Sequence, residues 1–125
     1  MPEGPEIRYI VESSKDYLIG KTIRKITALS KRKVRLPNRQ KILDVDCKGK
    51  LMWIKTKDYY IHIHYGMTGW LYFEEPDYTK YIIELTNGSS IYIDSMRKFT
   101  KMTIYKERSH QKIINKLGID IFKDL

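Results

Sequence analysis

At 125 residues, 42% of them hydrophobic and 31% charged, the chain has the size and composition of one globular domain. No apolar run approaches the roughly 18–20 residues that cross a bilayer, and acids at Glu3, Glu6 and Glu12 break up the opening stretch where a secretory signal would be continuous and apolar; the expected location is intracellular, in cytoplasm or nucleus, with no membrane partner. A net charge of +9 and a pI of 9.6 point instead to a polyanionic partner, nucleic acid before membrane surface.

In chain order, Ile7, Ile10, Val11 and Leu18 fall at helical spacing with Ser14 in the same stripe, which predicts a helix over residues 5–18. Pro5 suits a first helical turn, Glu6 complements the helix dipole there, and Gly20 supplies a stop. From Lys21 the period changes to two. Thr22–Leu29 reads as a strand with Ile23 and Ile26 as its apolar positions, and residues 31–41 read as a basic loop broken by Pro37-Asn38. Ile42–Cys47 alternates, with Leu43, Val45 and Cys47 assigned to one side. Lys48-Gly49 then turns the chain into Leu51–Lys55. Further strands are expected at Tyr59–His64, Trp70–Phe73, Tyr81–Leu85, Ser90–Asp94 and Met102–Tyr105, with Asn87-Gly88 as a hairpin turn. A short helix over 107–116 is expected to end at Gly118, and Asp120–Leu125 reads as a linker. Two helices and about eight closely spaced strands give a mainly β domain, a sandwich or barrel.

The single cysteine, Cys47, leaves no internal disulfide and no cysteine-based zinc site. His62 and His64 share a strand face; the expectation is a pair of satisfied sheet histidines in preference to metal ligands, so no metal is assigned. The N-terminus is the more suggestive feature. Removal of Met1 would leave Pro2 with a free secondary amine, whose pKa near 8 keeps part of it neutral and nucleophilic. Glu3 beside it and Glu6 one turn on are placed to move protons. The structural alternative is that proline and glutamate merely suit a helix start.

The residues Met1-Pro2-Glu3-Gly4-Pro5-Glu6-Ile7-Arg8 resemble the opening of the formamidopyrimidine-DNA glycosylase/endonuclease VIII (Fpg/Nei) family, and Gly4 is closer to its endonuclease VIII branch. Three further segments resemble the family in order. They are Asp46-Cys47-Lys48-Gly49-Lys50-Leu51, His64-Tyr65-Gly66-Met67-Thr68-Gly69 and Asp94-Ser95-Met96-Arg97-Lys98-Phe99, the last departing from the family pattern at Ser95 and across residues 96–98.

The resemblance implies a two-layer antiparallel β-sandwich of about eight strands with two helices, spanning 1–125 as the family's N-terminal catalytic domain. The helix–two-turns–helix and zinc-finger domains have no counterpart in this chain, so no cofactor is expected in it, although a full-length family member would often carry a structural zinc there. By the same resemblance the activity is excision of oxidised bases with AP-lyase cleavage, by a monomer acting on damaged DNA. Pro2 is the implied nucleophile, Glu3 the acid/base, Glu6 its support and Lys50 a phosphate contact. Met67, Arg97 and Phe99 are implied to fill the gap left by a rotated nucleotide. Two other classes remain open: a non-catalytic DNA-binding remnant, and a tautomerase-like enzyme using Pro2 on small keto acids, which would need no basic face.

Overall fold

The computed structural model describes residues 4–29, 34–66, 69–94 and 100–123, with the side chains of 118–123 outside the description. In chain order these form α1 (Gly4–Leu18), β1 (Thr22–Ala28), β2 (Gln40–Lys48), β3 (Leu51–Thr56), β4 (Tyr60–His64), β5 (Leu71–Tyr72), β6 (Thr79–Leu85), β7 (Ser90–Asp94), β8 (Lys101–Tyr105) and α2 (Glu107–Lys123). All strand pairings are antiparallel, in the order β5-β7-β6-β1-β2-β3-β4-β8.

The expected mainly β architecture of two helices and eight strands is therefore what the chain forms. Its two four-stranded halves are stitched into one continuous sheet by a short β1–β2 ladder, Thr22 opposite Lys41 and Ile23 opposite Gln40. Both halves send side chains into one core, which contains Ile83, Ile91 and Ile93 from one and Val45, Ile54 and Ile61 from the other. The apolar stripe of α1 enters the same core, with Ile7, Ile10, Val11 and Leu18 buried. Buried Ser14 fits there because its hydroxyl donates to the carbonyl of Ile10 at 2.6 Å, which satisfies it within the helix.

Two local features depart from the sequence expectation, the facing of Leu43 and the end of the second helix. Leu43 does not join Val45 and Cys47; it is 45% exposed, while Ile42 is fully buried. The register of β2 against β3 shifts between Ile42 and Asp44, and such a bulge reverses the facing of the residues beyond it. A similar shift in β1 between Ile23 and Lys25 puts Ile23 and Ile26, three residues apart, on the same buried face. The second helix does not end at Gly118 and residues 120–123 are not a linker, since α2 continues to Lys123. One interior glycine costs a helix about 1 kcal/mol relative to alanine, too little to end it. The turn at Asn87-Gly88 is as expected, with Gly88 at φ 91°, a conformation that suits glycine.

The outer face of β4 is also covered. Tyr60 and His62 are buried on the face opposite Ile61 and Ile63. The His110 ring from α2 lies flat on Tyr60, with centroids 3.6 Å apart and planes 6° apart. Its Nδ1 lies 2.8 Å from His62 Nε2. Strand β4 thus has a core face and a face sealed by α2.

Candidate active site

The described parts of the family-like segments come to one end of the β2-β3-β4-β8 half. Strands β2 and β3 close with Lys48 opposite Leu51, so the turn consists of Gly49 and Lys50 and not, as expected, of Lys48 and Gly49. Gly49 supplies the positive φ, 59°, and Lys50 stands exposed at the tip. Leu51 lies opposite His64 at the end of β4, and His64 lies opposite Lys101 at the start of β8. The turn, the loop leaving β4 and the segment entering β8 therefore share one edge.

The start of α1 reaches this edge. A Cβ at Gly4 would lie 3.9 Å from the carbonyl oxygen of Gly49, an ordinary van der Waals contact, so the helix begins against the Gly49-Lys50 turn. Arg8, one turn later, holds the arrangement from the side. Its Nη1 donates to Asp46 Oδ1 at 3.0 Å and its Nη2 to the carbonyl of Cys47 at 3.3 Å. The Asp46 carboxylate also accepts from the N–H of Cys47 at 2.8 Å, so it is held by its own strand. Burial pushes the Cys47 thiol up from its ordinary value, with Arg8 opposing, which keeps the sulfur protonated and inert.

The two loops at the same end are locked together. Thr100, fully buried, donates through Oγ1 to the carbonyl of Tyr65 at 2.8 Å, with the carbonyl of Asp94 at 3.2 Å as a second acceptor position. Lys80 Nζ donates to the Thr100 carbonyl at 2.7 Å. Gly69 N–H closes the loop on Tyr65 O at 3.0 Å. A Cβ on Gly69 would fall 2.3 Å from both Thr100 Oγ1 and Tyr65 O, so only glycine fits. Tyr65 is an anchor with its hydroxyl on Met52 Sδ at 3.0 Å, and complete burial raises its pKa. Asp94 caps the far side, accepting from the Trp70 N–H at 3.0 Å; desolvation raises its pKa and that hydrogen bond opposes the rise.

Of the residues assigned from sequence, Glu6 lies exposed in the first turn of α1 and Lys50 on the turn beside that helix start. Pro2, Glu3, Met67, Arg97 and Phe99 lie outside the described residues. Their described neighbours Gly4, Gly66, Gly69, Asp94 and Thr100 belong to the end just described. His62 finds its partner in His110, whereas His64, on the same face two residues on, is exposed at the site edge. Sequence reasoning passes over Arg8, Lys101 and Thr100 as individuals, and it reads His64 as a satisfied sheet histidine although it is exposed. Arg8 and Asp46 sit within the family-like segments, and their opposite charges are the one sequence signal that could pair them.

Among the described residues no group of three or more histidine, cysteine, aspartate or glutamate side chains is placed to hold a metal. No described helix is long and apolar enough to cross a membrane.

A helix start laid against a basic hairpin turn, with the glycine-flanked loop after β4 on the same edge, defines a mainly β domain that presents polar groups and cations at one end. The chain belongs to the formamidopyrimidine-DNA glycosylase N-terminal domain family, whose profile matches residues 1–102. It is similar to the formamidopyrimidine-DNA glycosylase of Rickettsia massiliae, 29% identical over 143 aligned positions that take in 100% of this chain and 50% of the relative. The fold matches the MutM (Fpg) protein of Thermus thermophilus with a TM-score of 0.80 at 23% identity, covering 90% of this chain and 43% of that one. It matches the Lactococcus lactis enzyme bound non-covalently to DNA containing an AP site with a TM-score of 0.82 at 16% identity, covering 92% and 49%. The chain spans about half the length of the curated relatives it matches.

Proposed function

We propose that this chain carries the catalytic chemistry of a bifunctional DNA glycosylase/AP lyase of base excision repair, an intracellular activity on damaged DNA, with the N-terminal proline as nucleophile. The observation that carries the reading is the contact of the α1 start with the Gly49-Lys50 turn. It sets the described start of α1, the residues that follow Pro2 and Glu3 in sequence, against the turn whose lysine the family resemblance assigns to a phosphate, and this supports the reading. The residues 1–125 correspond to the N-terminal catalytic domain of longer relatives. The first-turn sequence with Gly4 supports a place nearer the endonuclease VIII branch, although the curated relatives it matches carry the formamidopyrimidine-DNA glycosylase name.

The mechanism follows from the groups available. The target nucleotide leaves the stack, because C1′ is shielded inside a duplex. The neutral secondary amine of Pro2 attacks C1′; the N–C1′ bond forms as the bond to the base breaks and the base leaves with a proton, then the C1′–O4′ bond breaks as the Pro2 nitrogen gives up its proton and Glu3 delivers one to O4′, opening the ring to an iminium. The resulting iminium acidifies the C2′ proton. Its loss expels the 3′ phosphate, and water then hydrolyses the iminium to free Pro2. Glu6 supports Glu3 from the first turn, where the positive end of the helix dipole favours a carboxylate. Lys50 fixes the phosphate beside the lesion. Met67, on a glycine-flanked loop, enters the vacated stack, and Arg97 and Phe99 meet the orphaned base.

Borohydride reduction of the iminium tests this. With Met1 removed, the protein incubated with abasic duplex and borohydride is expected to give a covalent protein–DNA band. Acetylation of the Pro2 amine should abolish that band, while Pro2→Gly, which retains a primary amine, should leave a reduced one. A band of full strength from the acetylated protein would assign the nucleophile elsewhere. DNA binding with no band from the unblocked protein would make the chain a non-catalytic binding module.

A further inference from the structure

We infer that Arg8 is a positioning residue for catalysis: it clamps the helix that follows the proposed nucleophile in sequence to the hairpin whose turn carries Lys50. This rests on the function proposed above and extends it to a residue that touches neither substrate nor reacting atoms.

Two elements must be held in fixed relation for the mechanism to work, and they are joined by no local chain. The first helical turn of α1 and the Gly49-Lys50 turn are more than forty residues apart in sequence. They meet where Gly4 approaches the Gly49 carbonyl in van der Waals contact. Arg8 adds two directional bonds. Its two terminal nitrogens reach two successive residues of β2, the carboxylate of Asp46 at 3.0 Å and the backbone carbonyl of Cys47 at 3.3 Å. A planar guanidinium bonded at two points fixes orientation as well as distance, which a single ammonium cannot do. Cys47 and Lys48 are the last residues before the turn, and Cys47 is itself in register with Met52 on β3. Fixing Asp46 and Cys47 therefore fixes the base of the hairpin.

The energy of the contact does not explain its geometry. Arg8 and Asp46 side chains are 50% and 41% exposed, and ion pairs so exposed add little to stability. Glu12, at 3.5 Å from Arg8, also shares its charge. A weak stabiliser that joins the two halves of a reaction centre will show itself in rate, because misplacement by about 1 Å can cost on the order of a hundredfold.

The test is a double-mutant cycle in the full 125-residue chain with Met1 removed, using Arg8→Ala, Lys50→Ala and the double variant. The readouts are the single-turnover borohydride-trapping rate at saturating abasic duplex and the affinity for a duplex carrying a tetrahydrofuran abasic analogue. Thermal melting controls for folding. Arg8→Ala is expected to slow trapping roughly tenfold when Lys50 is present and less than about twofold when Lys50 is alanine, with melting unchanged. Lys50→Ala should likewise lose less affinity for the analogue once Arg8 is gone. Arg8→Lys keeps the charge but not the two-point grip, and should fall between wild type and Arg8→Ala. Equal fold-losses in both Lys50 backgrounds, or a wild-type rate in Arg8→Lys, overturn the positioning role. If the wild-type chain traps nothing, the proposed function itself fails and this inference goes with it. If wild type traps and Arg8→Ala is unaffected, only the inference fails.

Discussion

Strand β4 ends in two histidines on one face, and they belong to two different regions. His62 is sealed under α2, bonded to His110 and flanked by the rings of Trp53 and Tyr105, while Tyr60 stacks on His110. His64 stands exposed where Leu51 and Lys101 flank it, at the end that gathers the hairpin turn and the loops. In the covered region polar groups satisfy one another and aromatic rings fill the space. At the open end the buried polar groups, Thr100 and the backbone around Tyr65 and Gly69, hold loops in shape while cations face solvent. The contrast separates residues that keep the domain folded from residues that face a ligand, and it can be attacked from either side.

The largest effect is expected in the covered region, on acidification. His62 Nε2 and His110 Nδ1 share one proton across 2.8 Å, so one ring donates and the other accepts; protonating both nitrogens would set two donors face to face. Burial, followed by the nearby His110, pushes His62 down from 6.5 to about 4. His110 is lowered too, by burial first, with Glu107 opposing and Lys55 reinforcing. Between those pH values the unfolded chain binds protons that the folded chain refuses, so stability is full above about pH 6.5 and falls as pH drops towards 4. The loss should be on the order of 2–3 kcal/mol. Urea titrations at pH 7.5 and 4.5 measure it, and His62→Phe should flatten the dependence. A wild-type protein equally stable at both pH values would mean that the pair is not sealed and that the two regions differ less than the packing implies.

How much of this is legible in sequence follows the same division. The stripe of Ile7, Ile10, Val11, Ser14 and Leu18 gives α1 directly, because helix burial leaves a local period. The glycines at 49 and 88 mark turns because their backbone angles favour glycine, and the family-like segments mark the open end. What escapes is non-local. The bulge that turns Leu43 outward depends on the register between β2 and β3, not on either strand alone. His110 cannot be seen as the partner of His62 across 48 residues. Arg8 and Asp46, 38 apart, fall in separate motifs although one guanidinium joins them. The continuation of α2 past Gly118 escapes because a stop at one glycine gives that residue more weight than its cost warrants.

A smaller effect is expected at the loop lock of the open end. Gly69→Ala places a Cβ 2.3 Å from Thr100 Oγ1 and from the backbone oxygen of Tyr65, and the backbone contact cannot be relieved by turning a side chain. The loop must shift and the Thr100–Tyr65 bond must stretch or break, at a cost of about 1–3 kcal/mol. The informative measurement pairs the melting temperature with action on matched single- and double-stranded abasic substrates. If the loop bearing Met67 fills a gap in a base stack, the variant should lose more on duplex, where an empty gap lets the nucleotide return. Equal losses on both substrates would make Gly69 a packing residue of the covered kind, and the open end would shrink to the hairpin and the helix start.

The smallest effect, with no expected change in stability, concerns Lys101. It is exposed and has no ion-pair partner among the described residues. It lies opposite His64, which lies opposite Leu51, the residue after Lys50. Two strand spacings of about 4.8 Å put it roughly 10 Å from the Leu51 backbone. If this end faces DNA as proposed, lysines at positions 50 and 101 lie along one edge where both can meet the backbone of one strand. Arg24 is the control: it also carries a positive charge on an exposed strand, but in the other half of the sheet, and Glu84 already pairs it at 3.2 Å. Lys101→Ala should lower the slope of log affinity against log salt on duplex DNA by up to about 0.9. Arg24→Ala should leave that slope unchanged. Both variants should melt within about 0.5 kcal/mol of wild type, as surface substitutions away from special features do. Equal reductions from both would spread DNA binding over the whole basic surface and remove the ground for assigning it to one end of the molecule. No change from Lys101→Ala, with a normal reduction from Lys50→Ala, would confine the phosphate contacts in this chain to the hairpin turn and leave the β4–β8 edge to the loops.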